Sequence, residues 1–225
     1  MSFQHLETHH IHELSNKAEL VKLMEKVLID RPALEDLSPA RFAFGHFHQL
    51  GMMPELSRQN PLIIQTKIVS LSKGEGHEGN VLRFDAKTGK LLSIISGKIF
   101  TSYRTAATSV AVAKKLKPDA HSIILMGTGE QSLRHKEFFK EFFPSAKIEV
   151  HGRSQITLPK RSADIICTLT SAGSPILSLE DTHDEALVIA VGSCSLQKRE
   201  LSSELVRAAS RFTDSIPQMK REAGD

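Results

Sequence analysis

A glycine-rich turn in the middle of the chain has the residue types and spacing of a phosphate-binding loop. Four apolar residues, Ile123 to Met126, lead directly into two glycines, and a helix-like segment follows. Gly127 allows a sharp turn out of a strand, and Gly129 allows backbone N–H groups to approach a pyrophosphate that rests on the helix N-terminus. The residues predicted to contact a dinucleotide here are Gly127, Thr128, Gly129, Glu130 and Gln131.

The surroundings of the glycines decide between a ligand site and a simple turn. The third small position of the fingerprint is Ser132 rather than Gly or Ala, and many strand-to-helix turns use Gly-x-Gly for geometry alone. The glycines are preceded by a strand-like run and followed by a helix-like segment from Glu130 to Phe143. A second strand-like run then covers Lys147 to His151. This order is that of a βαβ unit, and it favours nucleotide binding.

The residues after the second predicted strand indicate which dinucleotide is bound. An NAD site normally has Asp or Glu about 20 residues beyond the glycines, where it bonds the ribose 2′-hydroxyl. The nearest acid here is Glu149, which is expected to lie inside the strand and to point away from its tip. Arg153 can fork onto a phosphate, and Ser154 adds a hydroxyl. The sequence predicts NADPH rather than NADH, with a solvated loop arginine as the alternative.

Composition and charge exclude several other classes of protein. The net charge of +3, from 29 basic and 26 acidic residues, is too small to indicate nucleic-acid binding, and no basic run is interleaved with aromatic residues. No apolar run is long enough to span a bilayer, and the polar first residues do not resemble a signal peptide. A globular cytoplasmic protein without a membrane or nucleic-acid partner is therefore expected.

Neither the cysteines nor the histidines form a metal-binding pattern. Cys167 and Cys194 are far apart in sequence and lack Cys-x-x-Cys spacing. His9, His10 and His12 are close together, but no acid or cysteine completes a ligand set, so a disordered N-terminal tail is expected instead. No metal site is predicted.

Hydrophobic periodicity divides the chain near residue 100. A capping box at Asn16 and Glu19 predicts a helix that ends near residue 31, and β-rich patterns follow. The expected strands in this part are Arg41 to His48, Leu62 to Leu71, Val81 to Phe84 and Leu91 to Ile95, with a hairpin turn at Asp85 to Gly89 and a mobile loop at Ser72 to Asn80.

The second part alternates helices and strands. A helix from Thr101 that stops at Pro118 is followed by the βαβ unit. Beyond it, the expected elements are strands at Asp164 to Leu169 and Ala186 to Val191, a short helix at Ser202 to Ala209 and a strand at Arg211 to Asp214. The predicted fold class is α/β, with a Rossmann-type dinucleotide-binding domain at 101–225 and a β-rich α+β domain at 1–100.

Several motifs together resemble the ornithine cyclodeaminase/mu-crystallin family. The most specific are Thr101 to Ala107, which contains Arg-Thr-Ala-Ala, and the Gly-x-Gly-x-Gln that ends at Gln131. Gly51 to Pro54 resembles the family's Gly-x-Met-Pro turn, and Thr66 to Val69 its Thr-Lys-Leu-Val strand. Further stretches that match in order are Asp164 to Thr168, Ser174 to Ile176, Ala190 to Ser193 and Arg199 to Leu201.

The resemblance implies roles for three cations and two cofactor contacts. In the enzymes that this chain resembles, a lysine at the place of Lys67 faces the nicotinamide and the reacting carbon–nitrogen centre. Arginines at the places of Arg104 and Arg41 hold the substrate carboxylate, for which a bidentate guanidinium is well suited. Without the resemblance, Lys67 would be interpreted as a solvated strand lysine. Thr170 and Val191 border the cofactor in this family and complete the predicted site.

The resemblance also implies an activity, with two alternatives. The expected function is NADPH-dependent reduction of a small cyclic or N-substituted α-imino acid by a homodimer whose β-rich domain binds substrate and forms the dimer surface. The first alternative is a deaminating lyase like ornithine cyclodeaminase. The second is a non-catalytic protein that binds NADPH or a small molecule. Arg104, expected near a helix N-terminus where the helix dipole disfavours cations, is a further hint of an anionic ligand.

Three departures from the family pattern limit these expectations. Only ten residues separate Arg153 from Asp164, where the family places a helix and a third strand, so the nucleotide domain is expected to be trimmed. Ser193 and Cys194 stand where ornithine-specific cyclodeaminases have an aspartate, which favours imine reduction. Relatives continue beyond Asp225, so we expect the domain to be C-terminally incomplete, with exposed apolar strands, an unpaired edge at Arg211 to Asp214 and weak catalysis.

Overall fold

The computed structural model describes residues 3–30, 42–44, 49–57, 62–72, 76–152, 163–193 and 196–225. The described chain forms two compact units. Unit 1 comprises Met1–Leu20 and Lys26–Arg104, and unit 2 comprises Val21–Glu25 and Thr105–Asp225. The change from one unit to the other at Arg104 falls inside a long helix, Gly97–Leu116 (α3).

Unit 1 is built on a six-stranded sheet with the order β1-β6-β5-β4-β3-β2. The strands are Gln4–Leu6 (β1), Phe42–Phe44 (β2), Gln49–Ser57 (β3), Ile63–Ser72 (β4), Gly76–Asp85 (β5) and Leu91–Ser96 (β6). All neighbouring pairs are antiparallel except β1 and β6, which are parallel. Two helices, Thr8–Leu14 (α1) and Lys17–Asp30 (α2), lie between β1 and β2 in sequence.

Local sequence signals account for much of unit 1. The capping box that starts α2 is present in part, because Asn16 Oδ1 accepts a hydrogen bond from Glu19 N at 3.1 Å. The hairpin between β5 and β6 is confirmed: Gly89 N donates to Asp85 O at 2.9 Å, and Gly89 has a φ of 68°, which suits glycine. The strand expected at Arg41 to His48 is observed as β2, and residues 41 and 45–48 lie outside the described chain.

Three expectations for unit 1 are wrong. Gly51 to Pro54 is not a turn but part of β3; Pro54 is tolerated because β2 pairs only with the stretch from Leu50 to Met52. The glycine-rich loop expected at Ser72 to Asn80 is partly a strand, since β5 begins at Gly76. Its ladder hydrogen bonds to β4 outweigh the poor strand propensity of glycine.

The third error concerns the N-terminus, which is ordered rather than a disordered tail. β1 pairs with β6, and α1 buries Ile11. The ring of His12 also lies against Tyr103, with His12 Nδ1 2.8 Å from the Tyr103 hydroxyl. These long-range contacts are between residues about 90 positions apart, and so they leave no local signal in the sequence.

Unit 2 is a four-stranded parallel sheet with the order β10-β9-β7-β8. Its strands are Ser122–Met126 (β7), Lys147–His151 (β8), Ile165–Thr168 (β9) and Leu187–Ala190 (β10), and its helices after α3 are Glu130–Phe142 (α4), Ser203–Ala208 (α5) and Ile216–Glu222 (α6). The chain adds β8 on one side of β7 and then β9 and β10 on the other side. This change of side between β7 and β9 is typical of a doubly wound nucleotide-binding sheet. The predicted Rossmann-type α/β class is confirmed.

Burial in unit 2 follows the predicted periodicity. Ile123 to Met126 and Ile165 to Thr168 are almost fully buried, as central parallel strands require. Phe138 and Phe139 of α4, which contacts β7 and β8, are buried, and so is Phe143 directly after it. The strand expected at Arg211 to Asp214 is wrong, because these residues are exposed and irregular. The helix α6 that follows was not predicted; its N-cap is Ser215, which accepts from Gln218 N.

Asp164 connects the amino ends of β7 and β9. Its Oδ2 atom accepts hydrogen bonds from His121 N at 2.8 Å and from both N and Oγ of Ser122 at 2.9 Å. Partial burial alone would raise the pKa of Asp164, but these hydrogen bonds outweigh that effect and hold its pKa below the ordinary value. Within the described parts of the chain, none of the helices has the length and apolar character needed to cross a bilayer.

Candidate functional site

The predicted phosphate-binding turn lies at the carboxyl end of β7. Gly127 has a φ of 131°, and a Cβ at this position would lie 2.7 Å from Leu169 O, so only glycine fits without strain. Its N–H donates to His151 O at 2.8 Å, at the end of β8. Gly127 therefore joins the ends of three parallel strands, which is the edge where doubly wound sheets bind ligands.

The start of α4 is open to solvent. Gly129 is the N-cap of α4, and a Cβ placed there would have no described atom within 4 Å. Thr128 and Gly129 are exposed, whereas Ser132 is 1% exposed and packs where the fingerprint has its third small residue. The free N–H groups of the first turn of this helix can thus receive an anion such as a pyrophosphate.

Glu130 and Gln131 are both engaged along α4. The carboxylate of Glu130 lies 3.3 Å from Arg134, which also binds Glu137 at 2.6 Å. This pairing directs the negative charge of Glu130 down the helix and away from an incoming phosphate. The backbone oxygen of Gln131 accepts from His135 Nδ1 at 2.7 Å, and its buried Oε1 has no hydrogen-bond partner among the described residues.

In β8, an acid in the middle of the strand pairs with the histidine at its end. Glu149 Oε2 lies 3.2 Å from His151 Nε2, and the hydrogen bonds from Lys147 and His151 hold the pKa of Glu149 below its ordinary value. As expected, Glu149 lies inside the strand; its carboxylate contacts both Lys147 and His151, because residues two apart in a strand share a face. Gly152 lies against Thr128, because its Cβ would be 3.3 Å from Thr128 Cγ2. Arg153 and Ser154 lie outside the described residues.

The carboxyl ends of β9 and β10 meet at one buried carboxylate, that of Glu200. Thr170 donates to it through both N and Oγ1, and Gly192 donates through N. Val191 N in turn donates to Thr168 O at 3.0 Å, so Thr170 and Val191 lie at the same sheet edge as the glycine turn. Glu200 was not predicted as a site residue; the only signal was its place in the Arg199 to Leu201 motif.

Two of the three predicted catalytic cations are described, and both lie in unit 1. Lys67 is in the middle of β4, half-buried, and is paired with Met53 of β3 and Val81 of β5. Arg104 is exposed on α3, and Arg41 lies outside the described residues. α3 begins at Gly97, so Arg104 is the eighth residue of the helix and not in its first turn. The hint taken from an unfavourable helix dipole at Arg104 is therefore wrong.

A family model matches most of the chain. The model of the ornithine cyclodeaminase/mu-crystallin family matches residues 9–162, which include β7, α4, β8 and most of unit 1. The chain belongs to the ornithine cyclodeaminase/mu-crystallin family. The predicted resemblance is thereby confirmed.

Curated relatives within and near this family are imine reductases. The chain is 32% identical over 202 residues to ketimine reductase mu-crystallin of Mus musculus, covering 78% of this chain and 64% of that protein. It is 25% identical over 233 residues to Delta(1)-pyrroline-2-carboxylate reductase 1 of Burkholderia multivorans, covering 92% and 74%. The chain thus spans less than two thirds of the length of the mu-crystallin relative.

Solved structures share the fold at lower identity. One is Delta(1)-pyrroline-2-carboxylate reductase of Thermococcus litoralis in complex with NADH and L-proline, with a TM-score of 0.81, 22% identity and coverage of 99% of this chain and 79% of that one. Another is an archaeal alanine dehydrogenase dimer with bound NAD, with a TM-score of 0.83, 19% identity and coverage of 99% and 77%. These structures support the fold assignment.

Ser193, one of two positions where the resemblance implies an aspartate in ornithine-specific cyclodeaminases, has a structural role here. Ser193 donates through Oγ to Lys198 O at 2.6 Å and accepts from Gly224 N at 3.2 Å. The Ser193 hydroxyl is therefore engaged by two backbone groups of the same chain. Cys194 lies outside the described residues. The buried thiol of Cys167 has a pKa raised by desolvation, which makes it a poor nucleophile. In the described ranges, no group of His, Cys, Asp or Glu side chains could hold a metal ion.

Proposed function

We propose that this protein is a cytosolic, nicotinamide-dinucleotide-dependent reductase of small cyclic or N-substituted α-imino acids, with NADPH as its preferred cofactor. The observation that carries the proposal is the open glycine turn at the carboxyl edge of the unit 2 sheet. Gly127 is constrained by φ and by Leu169, while the N-terminus of α4 is free for an anion. The curated relatives of the chain are named as imine reductases, which supports the reaction class.

The residues of unit 1 provide the functions that an imino acid requires. A fixed guanidinium orients the substrate carboxylate, and we assign this role to Arg104 together with Arg41. Lys67 is assigned the exchange of the proton at the imine nitrogen. When bound, NADPH supplies the hydride that reduces the imine carbon. The half-buried position of Lys67 between Met53 and Val81 limits its exposure to water, which favours a positioned proton donor.

Two other functions are distinguished by one set of assays. NADPH oxidation with a cyclic ketimine such as Δ1-pyrroline-2-carboxylate or Δ1-piperideine-2-carboxylate supports the reductase. Ammonia release from ornithine without net change in the cofactor supports a deaminating lyase. Cofactor binding without either reaction supports a non-catalytic binding protein. The serine at position 193 favours the reductase over the lyase, because the resemblance implies an aspartate in that region of ornithine-specific cyclodeaminases.

Replacing Arg153 with Asp is expected to remove most of the preference for NADPH over NADH. The arginine is assigned a charge-assisted contact with the 2′-phosphate worth roughly 1.5–3 kcal/mol, so the affinity for NADPH should fall by about 10–150-fold. Titration of nicotinamide fluorescence with both cofactors measures the change. Arg207→Asp is a suitable control, since Arg207 is an exposed cation on α5.

Equal affinity of the unmodified protein for the two cofactors would contradict the NADPH assignment. The Glu149 carboxylate, which contacts His151 at the end of β8, gives that outcome a physical basis, because a carboxylate can accept from a ribose 2′-hydroxyl. Glu149→Gln would then lower the affinity for NADH and leave that for NADPH unchanged.

We also propose that the protein is a homodimer that associates through one face of the unit 1 sheet. The apolar side chains that register places on this face are Met52, Leu56, Ile64, Ile68, Leu82, Phe84 and Ile94. Leu56 and Ile64 are paired across the strands and are 37% and 45% exposed, which is unusual for neighbouring large aliphatic residues. A two-fold dimer would use this patch twice.

Ile64→Asp is expected to convert the dimer into a monomer, because it places a charge in the centre of the proposed apolar contact. Size-exclusion chromatography with light scattering measures the mass. Leu133→Asp changes an equally apolar residue, 58% exposed on α4 of unit 2, and should leave the mass unchanged. A wild-type protein that is monomeric at high concentration would contradict the proposal.

A further inference from the structure

Glu200 is a fully buried carboxylate whose acceptor capacity is completely used. Its Oε1 accepts from Thr170 N at 2.8 Å and from Thr170 Oγ1 at 2.6 Å. Its Oε2 accepts from Thr168 Oγ1 at 2.8 Å and from Gly192 N at 2.7 Å. Burying a charge is costly unless it is hydrogen-bonded. Four hydrogen bonds to one carboxylate that is 0% exposed therefore indicate that its position and those of its partners are tightly constrained.

These four bonds connect the ends of two neighbouring parallel strands. Thr168 is the last residue of β9, Thr170 lies two residues beyond it, and Gly192 lies two residues beyond the end of β10. The fit is tight: a Cβ on Gly192 would lie 2.0 Å from Thr170 O and 2.6 Å from the Glu200 carboxylate. Any change in the shape or hydrogen-bonding character of the Glu200 side chain must therefore move the loops that follow β9 and β10.

The backbone of Glu200 is itself firmly held. Asp225 Oδ1 accepts from Glu200 N at 2.7 Å and from Leu201 N at 2.9 Å. On the other side, Glu200 O accepts from Ile176 N at 2.8 Å and from Leu177 N at 3.1 Å. The carboxylate is thus carried by a segment anchored on both sides, which allows it to set the position of the strand ends.

The loops that Glu200 holds belong to the second half of the nucleotide-binding sheet. In doubly wound sheets the dinucleotide lies across the point where strand order reverses, with one mononucleotide on each half. The glycine turn and β8 belong to the half that receives the adenosine side, whereas β9 and β10 belong to the half that receives the nicotinamide. Thr170 already donates its hydroxyl to Glu200, so this side chain is oriented before any ligand arrives.

We propose that Glu200 is a positioning residue for the nicotinamide half of the cofactor, acting through the backbone of Thr170, Val191 and Gly192. The inference rests on the proposed dinucleotide-dependent function and deepens it. A purely structural role is the competing explanation, and Asp164 offers the comparison. Asp164 makes three hydrogen bonds that tie the same sheet together at its opposite, amino edge, far from any ligand contact assigned above.

The experiment compares Glu200→Gln with Asp164→Ala, using two ligands. Glutamine keeps the size of the side chain but turns one acceptor into a donor, which faces the N–H of Gly192 and forces the loops apart. The probes are NADPH and 2′-phospho-ADP-ribose, which has the adenosine side but lacks nicotinamide. Affinities are measured by calorimetry, nicotinamide emission by fluorescence, and stability by thermal unfolding.

Glu200→Gln is expected to weaken NADPH binding by about tenfold and to reduce the fluorescence change of bound nicotinamide, with affinity for 2′-phospho-ADP-ribose within about twofold of wild type. Asp164→Ala should lower the melting temperature while keeping the ratio of the two affinities. Thr168→Val removes one hydrogen bond to Glu200 from a chain that retains the carboxylate, and it should shift the same ratio by a smaller factor.

Two results would overturn this inference and leave the proposed function intact. If wild type binds both probes and the variants leave the ratio of affinities unchanged, Glu200 does not position the nicotinamide. If Glu200→Gln weakens both probes equally, as a general loss of structure would, the role is structural. A wild-type protein that binds neither probe would instead overturn the proposed function, and this inference with it.

Discussion

Replacing Lys67 with Ala is expected to lower kcat for ketimine reduction by about 10²–10⁴-fold, while NADPH and the imino acid still bind. An amine that holds a proton at the imine nitrogen contributes mainly in the transition state, so its loss affects kcat more than KM. Stopped-flow measurement of NADPH oxidation under single-turnover conditions separates the chemical step from binding and product release.

The position of Lys67 explains why the substitution should not disturb the fold. Lys67 lies in the centre of β4, where its backbone is held by β3 on one side and β5 on the other. Ile63 and Val81, which share its face of the sheet, are each 7% exposed and provide the packing. Lys87→Ala, in the exposed hairpin turn, is the control and should leave kcat unchanged.

Arg104→Lys provides the contrast that assigns separate roles to the two cations. The substitution keeps the positive charge but loses the guanidinium fork, so KM for the imino acid should rise by about 10–150-fold, the value of a charge-assisted hydrogen bond. Cofactor affinity should remain at the wild-type level.

An unchanged single-turnover rate in Lys67→Ala would remove that lysine from the mechanism.

The sequence predicted the strand and the glycine turn at this edge of the sheet well, because their determinants are local. The apolar run from Ile123 to Met126 and the two glycines specify a buried strand and a turn, and both are present. The burial of Phe138 and Phe139 on one face of α4 is likewise typical of helical spacing. Glu149 likewise lies inside β8 as expected, but its contact with His151, two residues further on, was not predicted.

The features that the sequence did not predict depend on contacts between distant residues. The N-terminal elements β1 and α1 are ordered because β1 pairs with β6 and because His12 contacts Tyr103. The expected strand at Arg211 to Asp214 has β-forming residues but no pairing partner among the described strands, and propensity alone does not make a strand. Glu200 is equally inconspicuous, since its importance lies in hydrogen bonds to residues eight to 32 positions away.

The free energy of unfolding is expected to fall by about 3 kcal/mol as the pH is lowered from 6.5 to 4, because of His135. This side chain is 0% exposed between α3 and α4, and burial lowers its pKa from the ordinary 6.5 to about 4. In the neutral ring, Nδ1–H donates to Gln131 O at 2.7 Å, which leaves Nε2 to accept from Ser109 Oγ at 2.9 Å.

The sign of the effect follows from which state binds the proton. Below pH 6.5 the unfolded chain protonates this histidine, but the folded chain keeps it neutral until about pH 4. The unfolded state therefore binds more protons in this window, and stability decreases as the pH falls. Asp164 contributes in a different window, because a carboxylate whose pKa is lowered loses its stabilising effect only below its ordinary value near 4.

Urea unfolding at half-unit steps between pH 4 and 7.5 tests the assignment to His135. His135→Gln has an amide that can replace the hydrogen bond to Ser109 but takes up no proton, so the pH dependence in this window should flatten by about 3 kcal/mol relative to wild type. His121→Gln removes an exposed histidine and should keep the wild-type slope. If His135→Gln retains that slope too, the acid sensitivity arises elsewhere. Gln131 and His135 lie on α4, directly after the glycine turn. The His135→Gln variant should therefore also bind the cofactor at a lower pH than wild type does.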